Sequence, residues 1–259
     1  MIHRILHIAR REWLEQLRQP MMLAIVGALY GLVAGLVLFT LALVSVVSAE
    51  GQMANLDATL MGIMSADDFV AMATGGTIKA YNFLIYSQFL GIAAVLAGHS
   101  VLHDRQCGTL TFLLLAPVRR TELLTGKVLG AIGPSCALYL LISGGASLLM
   151  CTFEVAQPYA THLPNNPAWW VAFLTGGPTW ALFIGSICTI VSSLSHDVRT
   201  AQQGVWFVVF FGTMFCGALL TYALEYGVIA QFGVTLVAVI GSAITQMIGA
   251  NLMQRDLSR

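Results

Sequence analysis

Two groups of residues combine types and spacings that could do chemistry. His99 and His103 are four positions apart with Asp104 beside them, and on one helix face two such imidazoles could bind a metal ion. No further ligand is near them in the sequence, so we interpret them as a polar cluster at the end of a membrane span and predict no metal site. Residues 195–197 read Ser-His-Asp, but adjacent residues cannot adopt the geometry of a hydrolytic triad, and we predict a short turn.

The other reactive residue types also argue against catalysis. The five cysteines form no CxxC motif and no paired spacing, and the sequence contains no Walker A motif, so hydrolysis of ATP by the P-loop route is excluded. Charged residues stay at the ends of the apolar segments, although proton-coupled transporters and intramembrane proteases need them inside, where each costs at least about 2.5 kcal/mol. We therefore predict no catalytic residue and no cofactor in this chain, and a path suited to an amphipathic or lipid-like cargo.

The composition indicates an integral membrane protein. Of 259 residues 58% are apolar and only 9% are charged, against about 25% charged in soluble domains. The net charge of zero offers no basic footprint for nucleic acid. Since a span needs about 20 apolar residues, we predict a single all-α domain over 1–259 with six transmembrane helices, at 21–48, 81–102, 128–152, 169–194, 201–224 and 229–252. A cleavable signal peptide is the alternative for the first span, but its apolar run is about twice as long as such a peptide needs.

The basic side chains predict the orientation. They all fall on one side of the six spans except Lys79, and they are Arg4, Arg10, Arg11, Arg18, Arg105, Arg119, Arg120, Lys127, Arg199, Arg255 and Arg259. Both termini are therefore predicted to be cytoplasmic. On the outer side we predict short amphipathic helices within 49–80 and an irregular loop over 154–168. Pro178 is predicted to bend the fourth span.

Residues 2–18 are predicted to form an amphipathic helix that ends before Pro20. Its apolar stripe has spacings of three and four and consists of Ile2, Ile5, Leu6, Ala9, Trp13 and Leu17. Arginines recur on the opposite face. Such a helix lies in the membrane surface, with its arginines directed toward head groups or a partner. A generic interfacial anchor is one interpretation.

A polar, mostly basic segment over 103–127 separates the second and third spans. We predict two short helices in it, the first ending at Pro117 and the second continuing into the third span. Its ordered motif resembles the cytosolic coupling-helix region of ABC-2 type transporter permeases, which have a type V exporter-like fold. The matching positions are Asp104, Arg105, Gly108, Thr109, Leu110, Leu113, Leu114, Pro117, Arg119, Arg120, Glu122, Leu123, Leu124, Gly126 and Lys127. Gln106 and Thr111 stand where the family often has glutamates.

The resemblance extends over nearly the whole chain and implies a transmembrane permease subunit of an exporter. Separate ABC ATPase subunits, which bind ATP and Mg²⁺, would dock on 104–127. The start of the chain, 1–20, resembles the interface helix of the family, and Glu12 would face the ATPase or the coupling segment. The resemblance places the chain in the plasma membrane of a prokaryote, the inner membrane if the cell is Gram-negative.

Two other functions remain open on the sequence. An ABC-2-like membrane module that delivers a metal or haem-related cargo, or that signals mechanically to periplasmic accessory proteins, is the alternative to bulk export. A membrane enzyme is the third class. Membrane lipid is an expected partner in each case.

The family also implies a second permease subunit, identical or related. Gly27, Gly31 and Gly35 form a ridge on the first span that allows close approach of another helix. Gly212 and Cys216 offer small residues on the fifth span, and in the family the first span of one subunit lies near the fifth span of the other. Packing of the glycine ridge against a helix of the same chain is the alternative.

Overall fold

The structure is a computed structural model that describes residues 2–17, 20–49, 66–107, 119–195 and 197–256. Within these ranges the chain is helical and has no strand. The α-helices are α1 (Ile2–Leu17), α2 (Pro20–Ala49), α3 (Ala66–Gln106), α4 (Arg120–Leu138), α5 (Gly144–Met150), α6 (Pro167–Val171), α7 (Gly177–Leu194), α8 (Val198–Ala223) and α9 (Val228–Asp256).

Six segments of the described chain are long and apolar enough to cross a membrane, which confirms the predicted all-α architecture with six spans. They are Gly27–Ser45, Ala71–Asp104, Thr121–Met150, Pro167–Leu194, Arg199–Ala223 and Val228–Leu252. Because successive spans alternate in direction, α1, the end of α3, the start of α4 and the end of α9 lie at one end of the bundle. We call this end the terminal face and the opposite end the distal face.

The second span begins earlier than its hydropathy predicted. α3 is one helix of 41 residues from Ala66, so the predicted start at 81 and the separate short helices expected up to 80 are wrong for the described part, 66–80. Glycines and polar residues lower the hydropathy of this part of the helix, yet some of them pack against the rest of the chain. Gly75 leaves room for Tyr159, whose hydroxyl donates to the Ala71 carbonyl. The remaining predicted residues, 50–65, lie outside the described ranges.

The connection between the third and fourth spans is more regular than predicted. Glu154–His162 form a 3₁₀ helix with a kink at Tyr159, so the irregular loop predicted over 154–168 is corrected for its first half. The side chain of Asn166 then accepts a hydrogen bond from the Ala168 amide at 2.9 Å and caps α6.

The turn between α8 and α9 is tight and leaves no room for a re-entrant helix between them. α8 ends at Ala223 and α9 begins at Val228. Gly227 has a φ of 82°, a conformation that favours glycine. The Gln231 side chain reaches back across the turn and donates to the Leu220 carbonyl at 2.8 Å.

An aromatic stack connects the second, third and fourth spans in the core. The ring centroid of Tyr139 lies 4.3 Å from that of Phe89 and 4.4 Å from that of Phe173, and Phe173 stacks on Trp169 at 4.5 Å. All four rings are buried. Tyr139 begins a π-helical turn, Tyr139–Ser143, and Phe173 belongs to a second one, Ala172–Gly176, which directly precedes the segment that contains Pro178.

The spans differ in how much of their surface the subunit covers. α3 is central and contacts α7 and α8 most extensively. Only 11% of the most apolar window of the sixth span is buried, and 22% of that of the first. In a membrane protein such outward apolar faces meet lipid or another subunit.

Candidate functional site

α1 packs lengthwise on α4 across a ridge of glycines. We call Gly126, Gly130 and Gly133 the α4 glycine ridge, and their spacing of four and three places them on one helix face. A Cβ on Gly126 would lie 2.8 Å from the side chain of Ile8, and a Cβ on Gly130 would overlap the side chain of Glu12. Because these positions lack side chains, the backbones of the two helices come close together.

Trp13 fixes the end of α1 on the same ridge. Its indole Nε1 donates to the Leu129 carbonyl at 3.0 Å, and its ring fills the space beside Gly133. Of the predicted apolar stripe, Ala9 is buried against α4, whereas Leu6 is 56% exposed. Part of the predicted stripe, at Ala9 and Trp13, therefore packs against α4, and the placement of the helix in the membrane surface stays a prediction.

A buried ion cluster joins α1, α3 and α4. The Lys127 Nζ lies 2.9 Å from Glu12 Oε1 and also pairs with Asp104 Oδ2. The Lys127 side chain is only 2% exposed, and its ammonium group donates in addition to the Ser100 carbonyl at 3.4 Å. A buried charge is tolerated only while its partners stay in place. These three side chains, which we call the Lys127 cluster, therefore hold the three helices in one arrangement.

Further hydrogen bonds connect the start of α4 with its neighbours. The Arg119 amide donates to Glu122 Oε2 at 3.4 Å, which satisfies a free donor at the helix start. The Thr125 hydroxyl donates to the Gln246 amide oxygen of α9 at 2.7 Å. The first two turns of α4 are thus linked to α9 as well as to α1 and α3.

The predicted docking residues divide into three groups. Four of them are covered by the chain itself and hold the helices of the terminal face together rather than form its surface: Asp104, Glu122 and Lys127 are buried, and Glu12 is largely covered. Arg119 is exposed. A second group lies outside the described residues and consists of Gly108, Thr109, Leu110, Leu113, Leu114 and Pro117. Arg105 and Arg120 are described only as helical backbone.

The predicted dimer-interface residues do not all face outward. Gly31 and Gly35 are exposed, and a Cβ on either would meet no atom within 4 Å, whereas a Cβ on Gly27 would lie 3.9 Å from Ile142 of the same chain. A Cβ on Gly212 would lie 3.6 Å from Ile184 of α7, and Cys216 is 3% exposed within the subunit's own core. Gly212 and Cys216 thus pack inside one subunit, while a dimer contact through Gly31 and Gly35 stays a prediction.

A second polar cluster lies on the distal face. The Lys79 Nζ lies 2.7 Å from Glu225 Oε1, and His162 Nε2 lies 3.7 Å from the same oxygen. The Asn82 amide donates to the His162 carbonyl at 2.8 Å. Burial lowers the pKa of His162, and the Lys79 charge lowers it further, although Glu225 opposes both. The hydrogen bond from Lys79 lowers the pKa of Glu225.

The remaining residues with potential chemistry are separated in space. No group of three His, Cys, Asp or Glu side chains suited to a metal ion occurs in the described ranges. His103 contacts Cys107, with 3.7 Å between Nε2 and Sγ. Asp197 accepts a hydrogen bond from the Thr200 amide at 3.0 Å and caps α8. His196 lies outside the described residues, and none of these contacts forms a hydrolytic centre.

The fold defines the broad class of the protein. The six apolar spans of the described chain are the features of a multi-pass helical membrane protein. The family model described as ABC-2 family transporter protein matches residues 6–250, and the chain belongs to this family. The predicted resemblance is thereby confirmed. No curated protein and no solved structure matches the chain.

Family membership establishes the general role. The chain is a membrane component of a transporter and is not itself catalytic. Permeases of this family generally work with ABC ATPase subunits.

The α4 glycine ridge was not predicted as a contact. Ile5, Ala9 and Trp13 on α1 are spaced by four and four, close to the four and three of the ridge, and this similarity could have indicated the pairing. Lys127 was assigned to the docking segment through the family resemblance, and its burial between α1 and α3 was not predicted.

Proposed function

We propose that this chain is the permease subunit of an ATP-driven exporter and that separate ATPase subunits dock on its terminal face around 104–127. The Lys127 cluster is the observation that carries the proposal. Asp104 and Lys127 stand at the two ends of this segment, and their ion pair holds those ends together. A segment whose ends are fixed transmits a displacement to the second and third spans instead of absorbing it.

The charge of the terminal face supports the docking of a partner. His7, Arg10 and Arg11 are exposed on α1, and Arg119 is exposed at the start of α4. Arg11 is paired with Glu15 on its own helix, at 3.1 Å. The surface therefore offers a basic rim around 104–127 that fits an acidic or mixed-charge partner. In this proposal the ATPase provides the site for ATP and Mg²⁺, and the permease contributes no ligand to either.

The orientation follows from the same charges. The terminal face is cytoplasmic in this proposal because basic residues concentrate on the cytoplasmic side of membrane proteins. Both termini then lie in the cytoplasm, and the membrane is the plasma membrane of a prokaryote. A second permease subunit completes the transporter, and the outward face of the first span at Gly31 and Gly35 is a candidate contact for it.

The proposed cargo is amphipathic or lipid-like and is exported. The Lys127 cluster and Lys79 lie toward opposite ends of the bundle, so the middle of the described spans offers apolar, aromatic and small polar groups rather than paired charges. Such a lining suits a cargo with an apolar part better than a small ion.

The docking proposal is tested by co-purification of an ATPase from native membranes in mild detergent. Leu113→Glu places a charge in the apolar part of the docking segment, and we expect it to abolish co-purification. Asn251→Glu is the matched control, because it adds the same charge at an exposed position near the end of α9 on the same face. We expect that variant to retain the ATPase.

The proposal has a clear negative outcome. If an ATPase co-purifies equally with the unchanged chain, with Leu113→Glu and with a chain that lacks residues 108–115, then the partner docks elsewhere. If no ATPase co-purifies with the unchanged chain, the ATP-driven role is wrong.

A further inference from the structure

A cavity opens between α3, α7 and α8. Its volume is about 200 Å³, and its lining is mainly apolar, with Val95 and Leu102 from α3 and Val205 from α8 among the contributors. All the helices that form it belong to one subunit. Its described lining is therefore complete without a residue of a second subunit.

The depth of the cavity places it near the head-group level of the membrane. His99, which lines it, precedes Asp104 of the Lys127 cluster by five residues. At a rise of about 1.5 Å per residue, this corresponds to about 7 Å along α3. The cavity is therefore just inside the terminal face, where the polar and apolar parts of a membrane amphiphile meet.

An orphaned hydroxyl points to a polar ligand. Ser192 lines the cavity and is 1% exposed, yet its Oγ has no hydrogen-bond partner in the described part of the chain. A buried hydroxyl without a partner loses about 1–3 kcal/mol, so native proteins generally supply one. Gln202 adds an amide to the same lining, and His99 adds an imidazole.

The lining formed by the described residues carries no fixed charge and continues into an aromatic surface. None of the lining residues is Asp, Glu, Lys or Arg. Trp206 borders the cavity and is 62% exposed, and Phe210, one turn further along α8, is also 62% exposed. An apolar chain lying along this surface would leave its polar end at Ser192 and Gln202.

We propose that this cavity binds the polar end of an uncharged amphiphile, such as a long-chain alcohol or acylglycerol, whose chain lies along α8 at Trp206 and Phe210. The ligand enters from the leaflet on the terminal face. The inference rests on the proposed function, because it names the cargo class of that permease and the position at which the cargo is first bound.

The test uses a long-chain alcohol that carries a photoactivatable diazirine, with the protein reconstituted in nanodiscs without ATPase. Cross-linked peptides are identified by mass spectrometry. We expect labelling to concentrate in the first half of α8 and to exceed that by the sulfate ester of the same alcohol, because no Lys or Arg among the described residues lines the cavity to neutralise a sulfate. Gln202→Leu should reduce the labelling about tenfold, the effect of losing one hydrogen bond to the polar end of the ligand.

Two matched controls keep the test decisive. Gln203→Leu makes the same change at the adjacent exposed residue, which does not line the cavity, and we expect full labelling. Ala201→Leu fills part of the cavity and should reduce labelling, whereas Ala218→Leu, exposed further along α8, should not. Thermal unfolding of each variant shows that it is folded.

The outcomes separate this inference from the docking proposal. Equal labelling of Gln202→Leu and Gln203→Leu, equal labelling by the sulfate ester, or label spread evenly over all spans would each overturn it. Co-purification of the ATPase is measured separately, so the cavity can fail as a binding site while the docking proposal stands, or the reverse.

Discussion

At the residue scale, two lysines that both pair with carboxylates differ in how deeply their side chains are buried. Lys79 is 49% exposed and pairs with Glu225 on the distal face, whereas Lys127 is 2% exposed and lies between Glu12 and Asp104. Water and ions screen the exposed pair, so it contributes little. The buried pair is screened far less, and removing its cation would leave two carboxylates close together without compensation.

We therefore predict that Lys127→Met destabilises the folded chain by about 3 kcal/mol, because it leaves buried carboxylates unpaired. Thermal unfolding in detergent measures the change. Lys79→Met is the control and should cost no more than about 1 kcal/mol. Similar losses in the two variants would show that Lys127 is not held in a buried ion pair.

His162 provides a prediction for the dependence of stability on pH. Its pKa is lowered in the folded state, chiefly by burial, so the unfolded chain binds the proton more readily. Stability from the neutral ring is thus fully present above the ordinary pKa of about 6.5 and falls as the pH drops below that value. Protonated His162 would gain attraction to Glu225, but the Lys79 charge beside it opposes this gain.

The expected result is a lower melting temperature at a pH of about 5.5 than at about 7.5, and a smaller difference in His162→Gln, which cannot titrate in this range. Differential scanning fluorimetry over this range provides the comparison. An unchanged pH dependence in the variant would assign the effect to other groups.

At the element scale, the position of α1 depends on the α4 glycine ridge. A side chain at Gly130 would overlap Glu12, so α1 must move away and the Lys127 cluster must open. We predict that Gly130→Ala raises hydrogen–deuterium exchange across Ile2–Leu17. Gly145→Ala is the matched control, since a Cβ there meets no atom within 4 Å, and exchange in α1 should stay unchanged. Equal exchange in both variants would mean that α1 is not held by the ridge.

The elements were predictable to different degrees. The six spans follow from hydropathy, because lipid demands about 20 apolar residues in each. The start of α3 was not predictable in this way, since residues 74–79 are polar and glycine-rich and become helical through contacts with Tyr159. The π-helical turns at Tyr139–Ser143 and Ala172–Gly176 have no local sequence signal and accompany the packing of Tyr139 on Phe173.

The candidate site was predictable in its position but not in its contacts. The sequence contains two glycine ridges, one on the first span and one on α4, and spacing alone does not tell which of them a helix of the same chain covers. The structure shows α1 on the α4 glycine ridge, and Gly31 and Gly35 facing outward. Similarly, charge patterning located Lys127 on the terminal face, where the structure has it. Its burial was not predictable because it depends on Glu12, which is 115 residues away in the chain.

At the scale of the whole molecule, the even number of spans places both termini on one side. Cys107 is exposed on the terminal face, and Glu154 is exposed on the distal face. We predict that a membrane-impermeant maleimide added to intact cells labels Glu154→Cys but not Cys107, because the basic face is cytoplasmic. Inside-out vesicles should show the reverse. Labelling of Cys107 from outside would reverse the proposed orientation.

The short turn at residues 224–227 has a consequence for how the fifth and sixth spans move. The hydrogen bond from the Gln231 side chain to the Leu220 carbonyl holds the distal ends of α8 and α9 together, and the exposed ion pair between Lys79 and Glu225 adds a weak link from this turn to α3. Nearer the terminal face, α9 contacts α7 through the long side chain of Gln246, which donates to the Ser186 hydroxyl at 3.3 Å. A force applied at the terminal face would therefore displace α8 and α9 least at this turn. We expect the largest displacement at the level of Gln202.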